Sequence, residues 1–318
     1  MKAALVTSFA EPPRYADVPE PVPVAGAGDV LVEVLASGLH PRIRSQADGS
    51  HYTSGDALPL VPGLDGVGRT PDGRLAYFVL GDTPLGAMAE KTLVDPRRMI
   101  PLPDDADPVL IAAAMNPAMS SWVAFRRRVT FEPGMSVLIL GATGSAGQLA
   151  VQIARHLGAR DIVAAGRGQE RLDALRPLGA TATIDLAAAP DAVAAEISAK
   201  AAEVDVVIDY LWGEPAQNAI MPLLLGRADR SRLVEWVQIG SVAGADIALG
   251  SAALRQANIR FLGSGQGSNS AAGIVAELPS LVAELVAGTF TIDADGVPLA
   301  EVTRVWQEPA TRRVVLLP

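Results

Sequence analysis

The 318-residue sequence predicts a two-domain α/β protein, with a β-rich first domain and a doubly wound second domain built on a six-stranded parallel sheet. Three observations lead there. Short strand-like runs punctuated by Pro and Gly fill residues 1–110. From residue 136 onward, apolar strand-like runs alternate with helical patterns. The first of these units, SVLILGATGSAG at 136–147, runs through a glycine-rich turn straight into a helical pattern, GQLAVQIARHLGA.

In the first domain the strand-like runs are MKAALVTSF, DVLVEVLASG, GRLAYFVLG and AEKTLVD, separated by clusters such as EPPRYADVPEPVPVAGAGD and PLVPGLDGVGRTPDG. That pattern suits a barrel-like domain with irregular loops. Residues 38–60 show no clean period, and a loop that long is usually functional. Near 104 the composition shifts. ADPVLIAAAMNPAMSSWVAFRRR reads as a helix in two pieces broken at Asn116-Pro117, because proline lacks the N–H a helix interior needs. Strands are then expected at 136–141, 161–167, 181–185, 204–210, 232–240 and 259–263, with helices at 145–158, 169–178, 189–202 and 215–225. A polar loop, GSGQGSNS, follows, then a helix near 273–288 and a tail, RRVVLLP, with strand character that can return to the β domain.

The turn at 141–147 has the makings of a dinucleotide site. A pyrophosphate needs backbone N–H groups and the positive end of a helix aimed at it. Gly144 lets the backbone approach closely, and Gly147 lets the helix lie against the strand. Ala142 takes the place of the first glycine, with Gly141 just before it; Thr143, Ser145 and Ala146 complete the turn. The second strand ends at Gly166-Arg167, with no carboxylate before Glu170 to hold a ribose 2′-OH. A guanidinium there can hold a 2′-phosphate bidentately, so NADPH (NADP+) is expected over NADH. The alternative for Arg167 is a solvated loop arginine. Ligands of such sheets bind at the carboxyl ends of strands, which brings in Gly240 and Ser241 at the end of the fifth strand and Gly263, Ser264 and Gly265 at the end of the sixth. Tyr210 and Trp212 end the fourth strand and either wall the cofactor cleft or fill core.

A net charge of −9 argues against nucleic acid and anionic membranes as partners. The chain has no cysteine, which excludes disulfides, thiol catalysis and thiolate metal sites, and its three histidines are His40, His51 and His156. No metal site is therefore expected. The N-terminus does not read as a signal peptide, and no uninterrupted apolar run reaches the ~18–20 residues that span a bilayer, so a soluble, cytoplasmic protein is expected.

The order of domains and several segments resemble the medium-chain dehydrogenase/reductase superfamily, in particular its zinc-free quinone oxidoreductase and enoyl reductase branch. LPLVPGLDGVG (58–68), GAMAEKTLVD (86–95), PLPDDAD (101–107), AAAMNPAMSSWVAF (112–125), EPGMSVLILGATGSAG (132–147), VDVVIDYLWG (204–213) and VQIGSVAG (237–244) carry the resemblance. It implies a GroES-like catalytic domain at 1–117, an NADP-binding Rossmann domain at 118–265, and a return segment at 266–318 that completes the catalytic domain. Zinc-dependent members carry Cys near the second strand and His-Glu after the PG turn, where this sequence reads Ser37-Gly38-Leu39-His40 and Leu64-Asp65. Without zinc, alkoxide stabilisation is lost and reduction of a quinone or a polarised C=C bond is favoured.

Within the resemblance, Tyr52 corresponds to a tyrosine that faces the nicotinamide and can donate a proton, in a stretch one residue longer than usual. His40 stands where relatives often have Asn and can donate to a substrate carbonyl. Both also have a purely structural reading. Asn116 and Ser120 lie in a stretch like one that borders the nicotinamide ribose and amide, and Ser121 competes with Ser120 for that role; all three also suit helix caps. The expected activity is NADPH-dependent, zinc-free reduction of a quinone or enone by a homodimer paired through the edge strand near 259–263. Two alternatives stand beside it: an NADPH-binding protein without turnover, and a zinc-free alcohol dehydrogenase.

Overall fold

The computed structural model describes residues 1–24, 26, 28–308 and 312–318. Two compact units emerge, one of residues 1–116 and 278–318, the other of residues 117–277.

The first unit opens with β1 (Lys2–Leu5) paired antiparallel to β2 (Arg14–Asp17). Next come β3 (Val30–Gly38), α1 (Pro41–Ala47), β4 (Asp65–Arg69), β5 (Leu75–Val79), β6 (Lys91–Val94) and β7 (Met99–Pro101). Alternation on β3 sends Val32, Val34 and Ala36 inward. β4 was hidden in the PG segment because Gly66 and Gly68 read as turn residues. They are glycines because β3 lies close: a Cβ on Gly66 would meet the Ala36 carbonyl at 2.8 Å. α1 was hidden too, inside the 38–60 segment, since seven residues with Ile43, Gln46 and Ala47 buried are too few to display a helical period.

α2 (Pro108–Val123) corrects one expectation. The helix does not break at Asn116-Pro117 but runs through it, ending in a π-helical turn at Ala124–Arg128. An interior proline costs about 3 kcal/mol, and burial of Ile111, Met115, Ala118, Trp122 and Val123 along the helix outweighs it. The stretch Pro108–Arg128 is also long and apolar enough to cross a membrane, but 67% of its apolar window is buried in protein, as in a core helix.

The second unit carries β8 (Ser136–Leu140), α3 (Ser145–His156), β9 (Asp161–Gly166), α4 (Gln169–Asp173), β10 (Ala182–Asp185), α5 (Pro190–Lys200), β11 (Val206–Asp209), α6 (Gly213–Gly226), β12 (Val234–Gln238), α7 (Ala253–Gln256) and β13 (Ile259–Gly263). The strands form a parallel six-stranded sheet in the order β10-β9-β8-β11-β12-β13. This is the doubly wound arrangement expected, with the order reversing at β8. Its core joins Leu138, Leu140, Val163, Val207 and Trp236 to Leu223 and Leu224 of α6.

α8 (Ala271–Val286) follows, and the chain returns to the first unit with β14 (Ala294–Pro298), α9 (Val302–Gln307) and β15 (Arg313–Leu317). β15 pairs antiparallel with β3, completing a seven-stranded sheet. Residues 266–277, expected in the return segment, cluster instead with the second unit. Glu277 is ion-paired there to Arg126 at 2.6 Å and Arg127 at 2.9 Å, and Arg128 donates to the Ser268 carbonyl.

Candidate functional site

β8 is buried throughout and delivers the chain to Gly141, whose φ of +87° is the left-handed turn a glycine allows. The tight-turn glycine is thus Gly141 rather than the position held by Ala142. The N–H groups of Gly141 and Ala142 both donate to the Ala165 carbonyl at 2.9 Å, tying the turn to β9. Gly144 caps α3, and the first turn of that helix leaves the N–H groups of Ser145, Ala146 and Gly147 without intrahelical acceptors. A Cβ on Gly147 would meet Ala142 Cα at 2.5 Å, and one on Gly166 would meet the Thr143 side chain at 2.6 Å. Beside Gly144 the nearest atom is the Gly141 carbonyl, at an ordinary 3.5 Å. The turn is closed on its protein side and open at Gly144, so these residues fit a pyrophosphate.

Arg167 follows β9 directly, is exposed, and among the described residues has no ion-pair partner. Arg171, which the sequence reading passed over, reaches back from α4 to donate to the Thr143 carbonyl at 2.7 Å. The helix at 169–178 was expected, but the reach of Arg171 back to Thr143 spans 28 positions and has no local signal. Two guanidinium groups therefore belong to the segment that follows β9.

The strand ends on the other side of β8 are joined by a polar network. Asp209 ends β11; its Oδ1 accepts from the Leu211 and Trp212 N–H groups at 2.8 and 2.9 Å, and its Oδ2 from the Trp236 indole at 3.0 Å. Burial raises the Asp209 carboxyl, against those three bonds. They hold Trp212 at φ +51°, the one non-glycine residue at positive φ among those described. Tyr210 is buried, and a Cβ on Gly240 would meet its carbonyl oxygen at 2.8 Å. The Tyr210 hydroxyl lies 2.9 Å from Ser120 Oγ. Ser264 N–H donates to the Gln238 carbonyl, and Asn269 Nδ2 donates to Ser264 Oγ at 3.3 Å. Gly265 N–H donates to Ser268 Oγ, whereas Ser241 is exposed and Gly263 has no atom within 4 Å of a would-be Cβ. Asn116 is half-buried on α2, in the first unit.

In the first unit, His40 and Tyr52 belong to different networks. His40 caps α1 and is 3% exposed; its Nε2 lies 3.3 Å from Asp65 Oδ1. Asp65 Oδ2 accepts from the Tyr77 hydroxyl at 2.8 Å, and its backbone carbonyl accepts from Ser37 Oγ at 3.0 Å. Burial lowers His40, with Asp65 opposing and the Arg313 and Arg42 charges assisting, so the imidazole is neutral at pH 7. Burial pushes Tyr77 well up and brings Arg313 down to about 10, with Asp65 holding Arg313 charged. His40 Nδ1 is buried without a partner. Tyr52, by contrast, is 73% exposed, its ring 4.2 Å from that of His51. His51 Nδ1 meets Thr53 Oγ1 at 2.9 Å, and Arg42 ties Thr53 and Asp82 together at 2.6 Å each. Among the described residues no group of three or more His, Cys, Asp or Glu side chains could hold a metal ion.

Comparison with known proteins places this geometry. The chain is 32% identical, over its whole length and the whole of the relative, to a probable NADPH-dependent quinone reductase of Emericella nidulans. It belongs to the medium-chain dehydrogenase/reductase superfamily, in the quinone oxidoreductase branch. A family model described as a zinc-binding dehydrogenase matches residues 146–276, most of the second unit. An NADPH-dependent alkenal/one oxidoreductase of Arabidopsis thaliana is 29% identical over 52% of this chain and 46% of its own. Among solved structures, the quinone oxidoreductase of Thermus thermophilus, determined also with NADPH, superposes with a TM-score of 0.81 at 26% identity over all of both chains. The parallel six-stranded sheet and the separate β-rich unit agree with the fold class expected from the sequence.

Proposed function

We propose that this chain transfers a hydride from NADPH to a quinone, or to the C=C bond of an α,β-unsaturated carbonyl compound, without a zinc ion. It is an oxidoreductase and NADPH is its cofactor. The observation that carries the proposal is the glycine turn open at Gly144 and followed by an exposed Arg167 with no ion-pair partner among the described residues.

Bound NADPH supplies the hydride. The chain's own residues bind and orient it. The Ser145–Gly147 N–H groups and the positive end of α3 meet the pyrophosphate. Arg167 takes the 2′-phosphate, and Arg171, braced on Thr143, supports the same charge. Ser120, Gly240, Ser241 and Gly263–Gly265 are assigned to the cofactor from the strand ends and α2, together with Asn116. On hydride transfer to the substrate carbon, a hydrogen-bond donor would steady the developing enolate or hydroquinone anion, and water or a side chain would supply the proton that completes the product. Tyr52, an exposed residue, is assigned that role; His40, buried against Asp65, acts from behind the surface.

The donor set around Asp65 supports the zinc-free reading. The chain has no thiolate, and the polar cluster offers one imidazole and one carboxylate. The Asp65 carboxylate already accepts from Tyr77, lies beside His40 and favours the charged form of the buried Arg313. A homodimer is proposed through β13, which among the described residues pairs with β12 alone and forms one edge of its sheet, and a cytoplasmic location goes with this reading.

The test is NADPH oxidation by chelator-treated protein against a benzoquinone, a phenanthrenequinone, a 2-alkenal, a cyclic enone and an enoyl thioester, with products identified. Turnover giving hydroquinone or saturated carbonyl supports the proposal. Tight NADPH binding with no turnover of any of them overturns it.

A further inference from the structure

The side chain of His51 meets a donor and an acceptor of one residue at a single nitrogen. Thr53 N–H donates to His51 Nδ1 at 3.2 Å, and Thr53 Oγ1 lies 2.9 Å from the same atom. The Thr53 hydroxyl proton is already placed, because Asp82 Oδ2 accepts it at 2.6 Å and a carboxylate only accepts. One lone pair of that hydroxyl takes Arg42 Nη2 at 2.6 Å, and the other is left for the imidazole. Arg42 Nη2 also donates to Asp82 Oδ1 at 2.6 Å, which holds Thr53 between α1 and the segment after β5.

Thr53 therefore satisfies Nδ1 whether or not that nitrogen carries a proton. Without one, its lone pair accepts from Thr53 N–H; with one, it donates to Thr53 Oγ1. The ring is anchored in both neutral tautomers and as the imidazolium, so a proton is exchanged at Nε2 without loosening it. Nε2 makes no hydrogen bond among the described residues, and unlike His40 Nδ1 it is not sealed from solvent. Burial lowers His51 from 6.5, the Arg42 charge assists and Asp82 opposes, so the imidazolium is the minor form at pH 7. The charged and titrating groups around it are thus Arg42 of α1, Asp82 after β5, and Tyr52 of its own loop, whose ring centre lies 4.2 Å from that of the imidazole.

We propose that His51 is the general acid of the reaction, delivering its Nε2 proton to the substrate oxygen as the hydride arrives at carbon. The inference rests on the reductase reading above, which assigns Tyr52 to that oxygen and leaves the proton to water or a side chain. The substrate carbon takes the hydride with its electron pair, and the displaced π pair moves to the carbonyl oxygen. The His51 Nε2–H bond breaks, its pair stays on nitrogen, and the oxygen takes the proton. An enone then becomes an enol that relaxes to the saturated carbonyl compound, and a quinone becomes a hydroquinone. His51 is left neutral with Nδ1–H on Thr53 Oγ1, and water restores the Nε2 proton.

The test is single-turnover oxidation of bound NADPH by a quinone or enone, followed from mildly acid to mildly alkaline pH, with the NADPH dissociation constant measured beside it. The wild-type rate should fall about tenfold per unit above pH 6.5, as the imidazolium is lost. His51→Gln, which keeps an acceptor for Thr53 N–H, should lose that fall and be slower by roughly a hundredfold at acid pH, with NADPH bound as in the wild type. Thr53→Val, which removes the acceptor for the imidazolium, should move the fall to lower pH, and Thr53→Ser should restore it. The two Thr53 variants decide the matter if His51→Gln does not fold. A wild-type fall kept in His51→Gln, or one unmoved in Thr53→Val, overturns the inference, as does a wild-type rate that does not change with pH. A wild-type protein that binds NADPH and reduces no quinone or enone overturns the reductase reading itself, and this inference with it.

Discussion

Tyr77 donates its hydroxyl to Asp65 Oδ2 at 2.8 Å, and both residues are fully buried. The carboxylate is held by this bond, by His40 and by the nearby charge of Arg313. Tyr77→Phe removes one donor and leaves a buried oxygen unsatisfied. It is expected to cost about 1–3 kcal/mol in urea denaturation. Asp65→Asn should cost more, because it leaves the Arg313 guanidinium buried without its counter-charge. Equal stability of Asp65→Asn and wild type would contradict this account of the cluster.

His40 makes a prediction about pH. Its folded-state value is lowered from 6.5, chiefly by burial, so below 6.5 the unfolded chain binds a proton that the folded chain does not. The stability it contributes is complete above pH 6.5 and is lost as pH falls toward the folded value. Melting temperature should therefore drop more steeply below pH 6.5 in the wild type than in His40→Gln. Parallel curves for the two proteins would contradict it.

Arg167→Ala should raise the dissociation constant of NADPH by roughly ten- to a hundredfold, the worth of a charge-assisted hydrogen bond, and leave that of NADH unchanged. Titration of both nucleotides checks it. If the affinity ratio of NADPH to NADH does not fall, Arg167 does not hold the 2′-phosphate.

Two glycines of the second unit should behave oppositely. A Cβ at Gly147 would meet Ala142 Cα at 2.5 Å, so Gly147→Ala should lose about 1–3 kcal/mol of stability together with NADPH binding. A Cβ at Gly263 meets nothing within 4 Å, so Gly263→Ala should stay within about 0.5 kcal/mol of wild type. Weaker NADPH binding by Gly263→Ala would place the cofactor at that strand end; unchanged binding would remove Gly263 from the site.

The second unit was legible because its signals are local. The central parallel strands β8, β9, β11 and β12 are short runs buried on both faces, and Gly141, Gly144 and Gly147 mark the turn within seven residues. The first unit was less so. β4 carries Gly66 and Gly68 for close packing on β3, which in the text looks like a turn. α1 is too short to show a period, and Pro117 sits inside a helix that packing sustains. The network around Asp65 draws on residues 37, 40, 77 and 313, a convergence that only the seven-stranded sheet produces. His40 was picked out, and Asp65 was quoted only as standing where zinc-dependent members carry a ligand; the bond between the two spans 25 positions and was not visible in the sequence. Tyr210 was noted only as wall or core, since its bond to Ser120 spans 90 positions.

Direct transfer of hydride from NADPH is the central claim, and single-turnover oxidation of NADPH deuterated at nicotinamide C4 tests it most directly. Chelator-treated protein is mixed with a quinone or enone that it turns over, once with each of the two C4-deuterated isomers. The account predicts slower oxidation with one isomer and an unchanged rate with the other, without added zinc. Equal rates for both isomers and for unlabelled NADPH, or oxidation that appears only when zinc is restored, would contradict it.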